Sequence, residues 1–356
     1  MKTILKWPGG KEKELPIIQK YMPEYTGRFI EPFLGGGAVF FNVDNEKCYI
    51  NDKSCELINL YNCIKRKNTD MVKFLERAIK EFHSIGTFVN KHEEAILKLY
   101  HNRITVDEFL DRYKNYFLSL AGEYNIIFLK ELKRNLNNKR SRSMILERKK
   151  GEIPDKDKLE NMEAGMKSAY YMYIRYLHNH SSKLSCGQQA AVFFFIREYC
   201  YSSMFRYNRN GEFNVPYGGI SYNKKNLQNK FEYLLSEDVS KKLSTANISC
   251  MDFEEFLNDI NVVKDDFIFL DPPYDTQFST YTQNKFGPEE QIRLCRFLKQ
   301  TPAKIMLIIK NTDFIYKLYE KDFEIAKFSK KYAVNFMNRN NCKAEHLIIT
   351  NYKLAS

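Results

Sequence analysis

Three short stretches of this 356-residue chain carry side chains arranged for chemistry. The first is Asp271-Pro272-Pro273-Tyr274, directly after the apolar run FIFL. Two prolines fix the chain and donate no hydrogen bond, so the backbone carbonyls there stay available as acceptors. With Asp271 beside them, two acceptors can face one exocyclic amino group, and Tyr274 offers a flat face for stacking. That set suits a planar heterocyclic amine held edge-on; the plain alternative is a rigid turn ending a strand. The second stretch is Gly35-Gly36-Gly37, after FIEPFL and before the helix-like AVFFN. A Gly-rich strand-to-helix turn lets backbone approach a ligand, and a helix N-terminus offers free N–H groups. Phe40 stands where a dinucleotide loop carries its third Gly, which counts against a dinucleotide. The third is Asp52, 17 residues after Gly35 at the end of the strand-like run CYIND. A carboxylate there accepts hydrogen bonds from two ribose hydroxyls or caps the following helix, and the roles can coexist. Loop and Asp52 together favour a nucleoside-containing cofactor.

The elements that must position these groups are legible at both ends of the chain. FIEPF (29–33), CYIND (48–52), NISCMDF (247–253), FIFLDPPY (267–274), KIMLIIKN (304–311), FEIAKF (323–328) and EHLIITNY (345–352) read as strands. Their near-continuous apolar character is that of parallel strands buried on both faces. Helical patterns such as GPEEQIRLCRFLKQ (287–300) lie between them, so the expectation is a doubly wound α/β sheet. The middle differs: 71–82, 93–100, 106–122, 167–180 and 190–200 are helical and aromatic in pattern. RYNRNGEFNVPYGG (206–219) follows, with the hairpin signal Asn210-Gly211.

Charge divides the chain the same way. Residues 1–59 hold 8 basic and 8 acidic side chains and 247–356 hold 15 of each, whereas 60–246 hold 33 and 21. The whole formal charge of +12 therefore sits in the middle, which suits a polyanion such as nucleic acid, a membrane surface, or a merely solvated face. The densest stretch, 130–150, has 9 Lys/Arg against 2 Glu and reads as an exposed, partly disordered loop or as a phosphate contact. At 44% hydrophobic and 15% aromatic the chain can bury a large core and is not disordered. It has no 18-residue apolar run and no apolar leader after MKTILKWPGG, so no membrane partner is expected. The eight Cys form no CxxC pair and read as reduced thiols of a cytoplasmic protein; the six His include no HExxH, so no metal is expected.

Taken in order, the motifs resemble those of the Dam-type (D12 class) DNA adenine-N6 methyltransferases, which use S-adenosylmethionine. Lys6-Trp7-Pro8-Gly9-Gly10-Lys11 resembles the family's KWAGGK motif, with Pro8 where Ala is usual. Glu31-Pro32-Phe33-Leu34-Gly35-Gly36-Gly37 resembles its EPFxGxG cofactor loop, and Asn51-Asp52 with 57–62 its second cofactor motif. Residues 190–208 and 211–216 resemble its target-recognition hairpin, and Asp271 to Tyr274 its catalytic motif. The resemblance implies a Rossmann-like methyltransferase sheet with an inserted, mainly helical target-recognition domain ending in a β-hairpin. The catalytic domain would be 1–62 with 244–356, the recognition domain 63–243, and 83–165 a variable helical insertion.

By the same resemblance, Trp7 and Lys11 contact the methionine part of S-adenosylmethionine, with Asp271 nearby. Asp52 holds the ribose, Phe33, Gly35 and Gly37 line the loop, and Asp252 and Phe253 meet the adenine. Asp271, Pro272, Pro273 and Tyr274 would be catalytic on the flipped adenine of double-stranded DNA. Tyr201, Met204, Arg206, Asn208 and Pro216 would read or wedge the duplex, Arg206 resembling the family's guanine reader. Ser202 and Ser203 replace the usual Asn-Gly, and Gly219 stands where Arg is frequent, so a GATC-like site is one option among several. A monomer or weak dimer is expected, with room for a cognate restriction endonuclease acting separately. Other readings stay open: methylation of RNA or of a protein glutamine, a catalytically silent DNA-binding module, and a nucleotide-dependent oxidoreductase.

Overall fold

The computed structural model describes residues 1–273, 286–331 and 343–354. The chain divides into two compact units, Met1–Lys65 with Glu237–Ser356, and Arg66–Ser236. Among the described residues no helix is long and apolar enough to cross a membrane.

The first unit is built on strands β1 (Phe29–Glu31), β2 (Cys48–Asn51), β3 (Ala246–Ser249), β4 (Phe267–Leu270), β5 (Lys304–Lys310), β6 (Glu324–Lys331) and β7 (Lys343–Thr350). Their order is β3-β2-β1-β4-β5-β7-β6. The first five in that order run parallel, and β7 pairs antiparallel with both β5 and β6. The expectation of parallel strands therefore fails at β7, which runs antiparallel between β5 and β6. Every residue of β4 is buried, as its unbroken apolar run FIFL requires of a strand covered on both faces. The strand order reverses between β1 and β4, and a sheet of this kind opens a crevice at the carboxyl ends of those two strands. The helix Pro288–Gln300 begins with Pro288, Glu289 and Glu290, which suit its positive end.

At the opposite end of the same strands a charged clasp fixes their register. Asp266, just before β4, accepts from the Arg28 backbone N–H (2.9 Å), Arg28 Nε (3.0 Å), Arg28 Nη2 (2.6 Å) and the Val263 N–H (2.9 Å). Arg28, just before β1, also donates to the carbonyls of Ile260 (2.8 Å) and Asn261 (3.0 Å). Burial raises the Asp266 carboxyl, but the Arg28 side chain and the two N–H donors outweigh it and hold the group below the usual carboxylate range.

In the second unit the helices Thr69–Lys91, Asp155–Asn179 and Cys186–Tyr199 meet through rings. Phe82 lies 4.2 Å from Tyr199, 5.6 Å from Phe195 and 6.2 Å from Tyr170, centroid to centroid. Residues 130–150, read from their charge as a loop, instead belong to the helix Asn125–Lys150. Phe128, Leu132 and Leu136 explain this: spaced four apart, they form a fully buried stripe that a charge count hides. The segment 38–42, read as helical, makes only a 3-10 turn at Phe40–Asn42 before extended Val43. Phe40 and Phe41 are both buried, so neither face of a helix is left to present to solvent.

The Arg28–Asp266 clasp yields a stability test. Asp266→Ala removes a buried carboxylate, leaves the half-buried Arg28 guanidinium and two N–H groups without their acceptor, and is expected to cost about 3 kcal/mol. In wild type this contribution is present above the unfolded carboxyl value and is lost as pH falls through the lowered folded value. Urea unfolding of the variant at neutral pH checks it; a loss under about 1 kcal/mol contradicts the clasp.

Candidate active site

The turn Trp7-Pro8-Gly9-Gly10 delivers two side chains to the carboxyl end of the sheet. The Gly10 N–H closes it on the Trp7 carbonyl (3.1 Å), and Gly9 sits at φ +81°. Lys11, only 2% exposed, donates to the Gly9 carbonyl (3.0 Å) and forms an ion pair with Asp271. Trp7 rests on the glycine loop so closely that a Cβ at Gly35 would lie 2.7 Å from its Cδ1. Gly35 is at φ +49° and Gly37 at φ +68°, so both shape and backbone exclude a side chain at Gly35. Asp271 leaves the end of β4 half-buried, Pro272 is buried and Pro273 is exposed. Tyr274, expected to stack on the base, lies outside the described residues. Gln291, fully buried in the following helix, donates to the Pro273 carbonyl (3.1 Å). No periodicity in the sequence marks Gln291 as more than a core-facing helix residue.

Glu31 ends β1 fully buried, accepting the Phe40 N–H at 3.0 Å. Burial pushes its carboxyl well above the usual carboxylate range; the Phe40 N–H and Lys11 oppose this, while Asp271 and Asp52 reinforce it. Asp52 joins the second motif to the first: Oδ2 accepts the Gly35 N–H (2.9 Å) and Oδ1 the Ser54 N–H (2.9 Å). Burial raises the Asp52 carboxyl as well, and these two donors pull it back. Asn51, beside it, is the knot of three strand ends. Its Nδ2 donates to the carbonyls of Pro32 (3.1 Å) and Met251 (3.0 Å), and its Oδ1 accepts the Met251 N–H (2.9 Å).

At the far end of the crevice Phe33 packs 5.5 Å from Phe253 and edge-on, 5.4 Å, to Phe286. Asp252 caps the helix Phe253–Asp259 by accepting the Glu254 N–H. Arg293, which sequence reasoning missed, holds both Asp252 oxygens at 2.8 Å and lies 4.4 Å over the Phe253 ring. Burial raises the Asp252 carboxyl, yet Arg293 and the Glu254 N–H bring it below its ordinary value. Phe33, Gly35, Gly37, Asp52, Asp252 and Asp271 thus lie in the turns that follow β1 to β4, Phe253 opens the helix after β3, and Trp7 and Lys11 reach Gly35 and Asp271 from the amino-terminal turn.

The other expected set gathers in the second unit. Residues 199–218 fold back through two isolated antiparallel bridges, Cys200↔Tyr217 and Tyr207↔Phe213, rather than a continuous ladder. The Tyr201 N–H donates to the Pro216 carbonyl (2.8 Å), and Tyr201 is 40% exposed. Arg206 donates from Nε to Asn214 Oδ1 (2.7 Å) and from Nη2 to the Asn214 carbonyl (3.2 Å). The Asn208 side chain is spent inside the turn, on Glu212 and on the N–H groups of Asn210 and Glu212. Ser202 and Ser203 both stand at φ +51°, a conformation costing roughly 1 kcal/mol or more per non-Gly residue. Buried Arg197 braces that kink, donating to the carbonyls of Ser203 (3.1 Å) and Met204 (2.7 Å). This unit carries 30 basic and 19 acidic residues; the first carries 26 and 25.

The chain matches known proteins over nearly its whole length. The family model of the D12 class N6 adenine-specific DNA methyltransferases matches residues 7–143 and 104–334. The type II methyltransferase M.CviBI of Paramecium bursaria Chlorella virus NC1A is 28% identical, covering 99% of this chain and 100% of its own. The type II methyltransferase M.MjaIII of Methanocaldococcus jannaschii is 28% identical, over 99% of each chain. The DNA adenine methylase of Haemophilus influenzae is 24% identical, over 95% of this chain and 88% of its own. The chain belongs to the D12 class of N6 adenine-specific DNA methyltransferases.

The raised Glu31 carboxyl has a measurable signature. Its folded carboxyl lies above the unfolded value of about 4.3, so its contribution is full below that value and is lost as pH rises through the folded one. Glu31→Gln keeps an acceptor for the Phe40 N–H and cannot ionise. Its stability, followed by denaturant midpoint, is expected to gain on wild type as pH rises above about 4.3, by up to about 1.4 kcal/mol per pH unit. Parallel curves across that range contradict a raised Glu31 carboxyl.

Proposed function

We propose that this methyltransferase transfers a methyl group from S-adenosylmethionine to N6 of an adenine turned out of duplex DNA. The observation that carries the reading is Asp271 at the tip of β4, paired with buried Lys11 and adjoining the Gly35–Asp52 loop. The donor set suits the cofactor at two of its parts. Each Asp52 oxygen has one lone pair engaged by backbone and one left for a ribose hydroxyl. Lys11 and Trp7 offer a cation and an apolar plane to the amino-acid end. At the base end Arg293 already occupies Asp252, so an adenine amino group there must share or displace it.

Bound S-adenosylmethionine supplies the electrophilic methyl group; the rest of the work belongs to the chain. Turning the target adenine out of the stack costs a few kcal/mol, about the energy of lost stacking and pairing. Asp271 and the Pro272 carbonyl then accept the two N6–H bonds and aim the nitrogen lone pair at the methyl carbon, while Tyr274 stacks on the ring. Acceptor charge beside N6 stabilises the positive charge that develops as the nitrogen–carbon bond forms and the carbon–sulfur bond breaks. The surplus N6 proton leaves by way of Asp271. The rate gain comes mainly from position and electrostatics, with no covalent enzyme intermediate.

In the second unit, Tyr201, Met204, Arg206 and Pro216 are the proposed readers, Arg206 facing O6 and N7 of a guanine. The excess of basic residues there supplies sequence-independent attraction to phosphates. Asn208 acts in this reading as the turn's internal tie more than as a base contact.

Transfer of a tritiated methyl group from S-adenosylmethionine to duplex DNA, RNA or protein tests the reaction. Label is expected in duplex DNA alone, and Asp271→Ala is expected to lower the rate about 10³-fold or more. Near-normal transfer by that variant would overturn the role of Asp271. Sequencing of methylated adenines should give a consensus with a guanine beside the target, and Arg206→Ala should relax that position by about 1–3 kcal/mol. A consensus without the guanine removes Arg206 as its reader.

A further inference from the structure

The helix Asn125–Lys150 holds neither a motif residue nor a proposed base reader, yet it carries the densest run of basic residues in the chain. Its buried stripe of Phe128, Leu132 and Leu136 fixes which way it faces. At about 100° per residue, Lys130, Arg142, Arg148 and Lys149 fall within about 120° of one another, on the side away from that stripe. All four are exposed. The acids nearby are engaged with other cations. Glu131 pairs with Arg134, Asp107 with Lys133 (2.6 Å), and buried Lys158 draws in Glu147 (3.9 Å), Glu152 (3.1 Å) and Asp155 (3.0 Å). Among the described residues no carboxylate pairs with Lys130, Arg142, Arg148 or Lys149. Half-buried Lys139 is pushed down by burial and further by the charge of Arg142 beside it.

The start of this helix and the 199–218 fold-back are anchored on the same stretch of one neighbour. Phe128 meets Tyr170 and Tyr173 of the helix Asp155–Asn179 at 6.1 and 6.4 Å, centroid to centroid. From that stretch Tyr171 Oη and Arg175 Nη1 donate to the Val215 carbonyl (2.8 and 3.3 Å). Asn179 closes it, donating to the Phe213 carbonyl (3.1 Å) and accepting the Phe213 N–H (2.9 Å). A helix rises about 1.5 Å per residue, so from the level of Phe128 Lys130 stands about 3 Å along the axis, Arg142 about 21 Å and Arg148 about 30 Å.

We propose that the outer face of the helix Asn125–Lys150 is a phosphate-binding rail for the duplex DNA flanking the methylated site, with Lys130, Arg142, Arg148 and Lys149 as its contacts; this rests on the recognition reading of the 199–218 segment above. Four cations on one arc, with no acid among them, suit a polyanion. The guanidinium forks of Arg142 and Arg148 match phosphate oxygens, and Ser141 in the same arc adds a neutral donor. Ile145 and Leu146 are exposed among them, too little apolar surface to seat a protein partner. Each DNA strand presents a phosphate about every 3.4 Å, so a span of about 30 Å covers about nine base pairs to one side of the recognition segment. Such contacts add affinity and carry no sequence information.

The test is binding of the full chain, by fluorescence anisotropy, to duplexes with about 4 or about 14 base pairs on each side of the methylated consensus. Wild type is expected to hold the longer duplex about tenfold more tightly at about 0.1 M salt. The fourfold variant Lys130→Gln, Arg142→Gln, Arg148→Gln, Lys149→Gln is expected to lose that gain while keeping its affinity for the short duplex within about threefold. Its plot of log affinity against log salt on the longer duplex should be shallower by about 2 to 4, and its methylated consensus should be that of wild type. A second fourfold variant, Lys73→Gln, Lys80→Gln, Lys91→Gln, Lys114→Gln, removes the same charge from other exposed positions of the unit and is expected to keep the gain. The proposal is overturned if wild type gains nothing on extension, if the first variant keeps the gain, or if both variants lose it alike. A changed consensus in the first variant, or tighter binding of wild type to single-stranded RNA of the same length, overturns it as well. Should Arg206→Ala keep the guanine preference, the recognition reading fails by itself, and the length dependence still decides the rail.

Discussion

The ion pair between Lys11 and Asp271 is the contact on which the rest of the active site hangs. A lysine 2% exposed is tolerable only with a partner, since a buried charge left alone costs on the order of 3–5 kcal/mol. The pair therefore nails the amino-terminal turn to the tip of β4. That same turn presses Trp7 onto Gly35, and Gly35 hands its N–H to Asp52. Four segments remote in sequence are thus held by one charge and its neighbours. Glu31 shows the limit of the arrangement. Burial, with Asp271 and Asp52 nearby, pushes the Glu31 carboxyl well above its ordinary range, and the one ammonium only partly opposes this.

The two ends of the central strands carry different duties. At the amino end, the Arg28–Asp266 clasp joins the starts of β1 and β4 with well-formed hydrogen bonds and leaves nothing for a ligand. A groove of about 1130 Å³ does open at that end, between Tyr25, Asp44, Lys304 and Tyr352, but none of the motif residues lines it. The chemistry lies at the other, where the strand order reverses and free backbone groups, Asp52 and Asp271 converge. Asn51 makes that convergence rigid, because one amide side chain satisfies backbone groups from two neighbouring strand ends at once.

Much of this was legible from residue order. Pro272 and Pro273 after an unbroken apolar run announced both the buried strand and its abrupt end, and Asp52 after CYI announced the second strand tip. What escaped depended on side chains acting across the fold. Arg293 reads as one more exposed helix arginine until tertiary structure sets it over Phe253 with Asp252 between its nitrogens. Gln291 reads as helix filler until it reaches the Pro273 carbonyl. The basic helix Asn125–Lys150 was misread because nine charges outweigh three apolar residues in a composition, whereas in a helix the three apolar residues lie on one line. Segment 38–42 was misread for the converse reason: a helical-looking pattern lost its helix when Phe40 gave its N–H to Glu31 and both phenylalanines turned inward.

The second unit holds a strained kink in a fixed shape. Two consecutive serines at positive φ are held by Arg197, a buried guanidinium whose donors go to the two carbonyls that follow the kink. Asn and Gly, usual in this family at those positions, adopt that conformation at less cost. Here the conformation is kept and the cost is met by the arginine beneath it. Arg206 is held in the same manner: Asn214 takes its Nε and one Nη2 hydrogen, which fixes the guanidinium plane. An arginine with its plane already set loses less rotamer freedom on meeting a base edge than a free one, and it rejects bases that lie off that plane. In the proposed role of Arg206 as a guanine reader, specificity is shared with the asparagine that aims it.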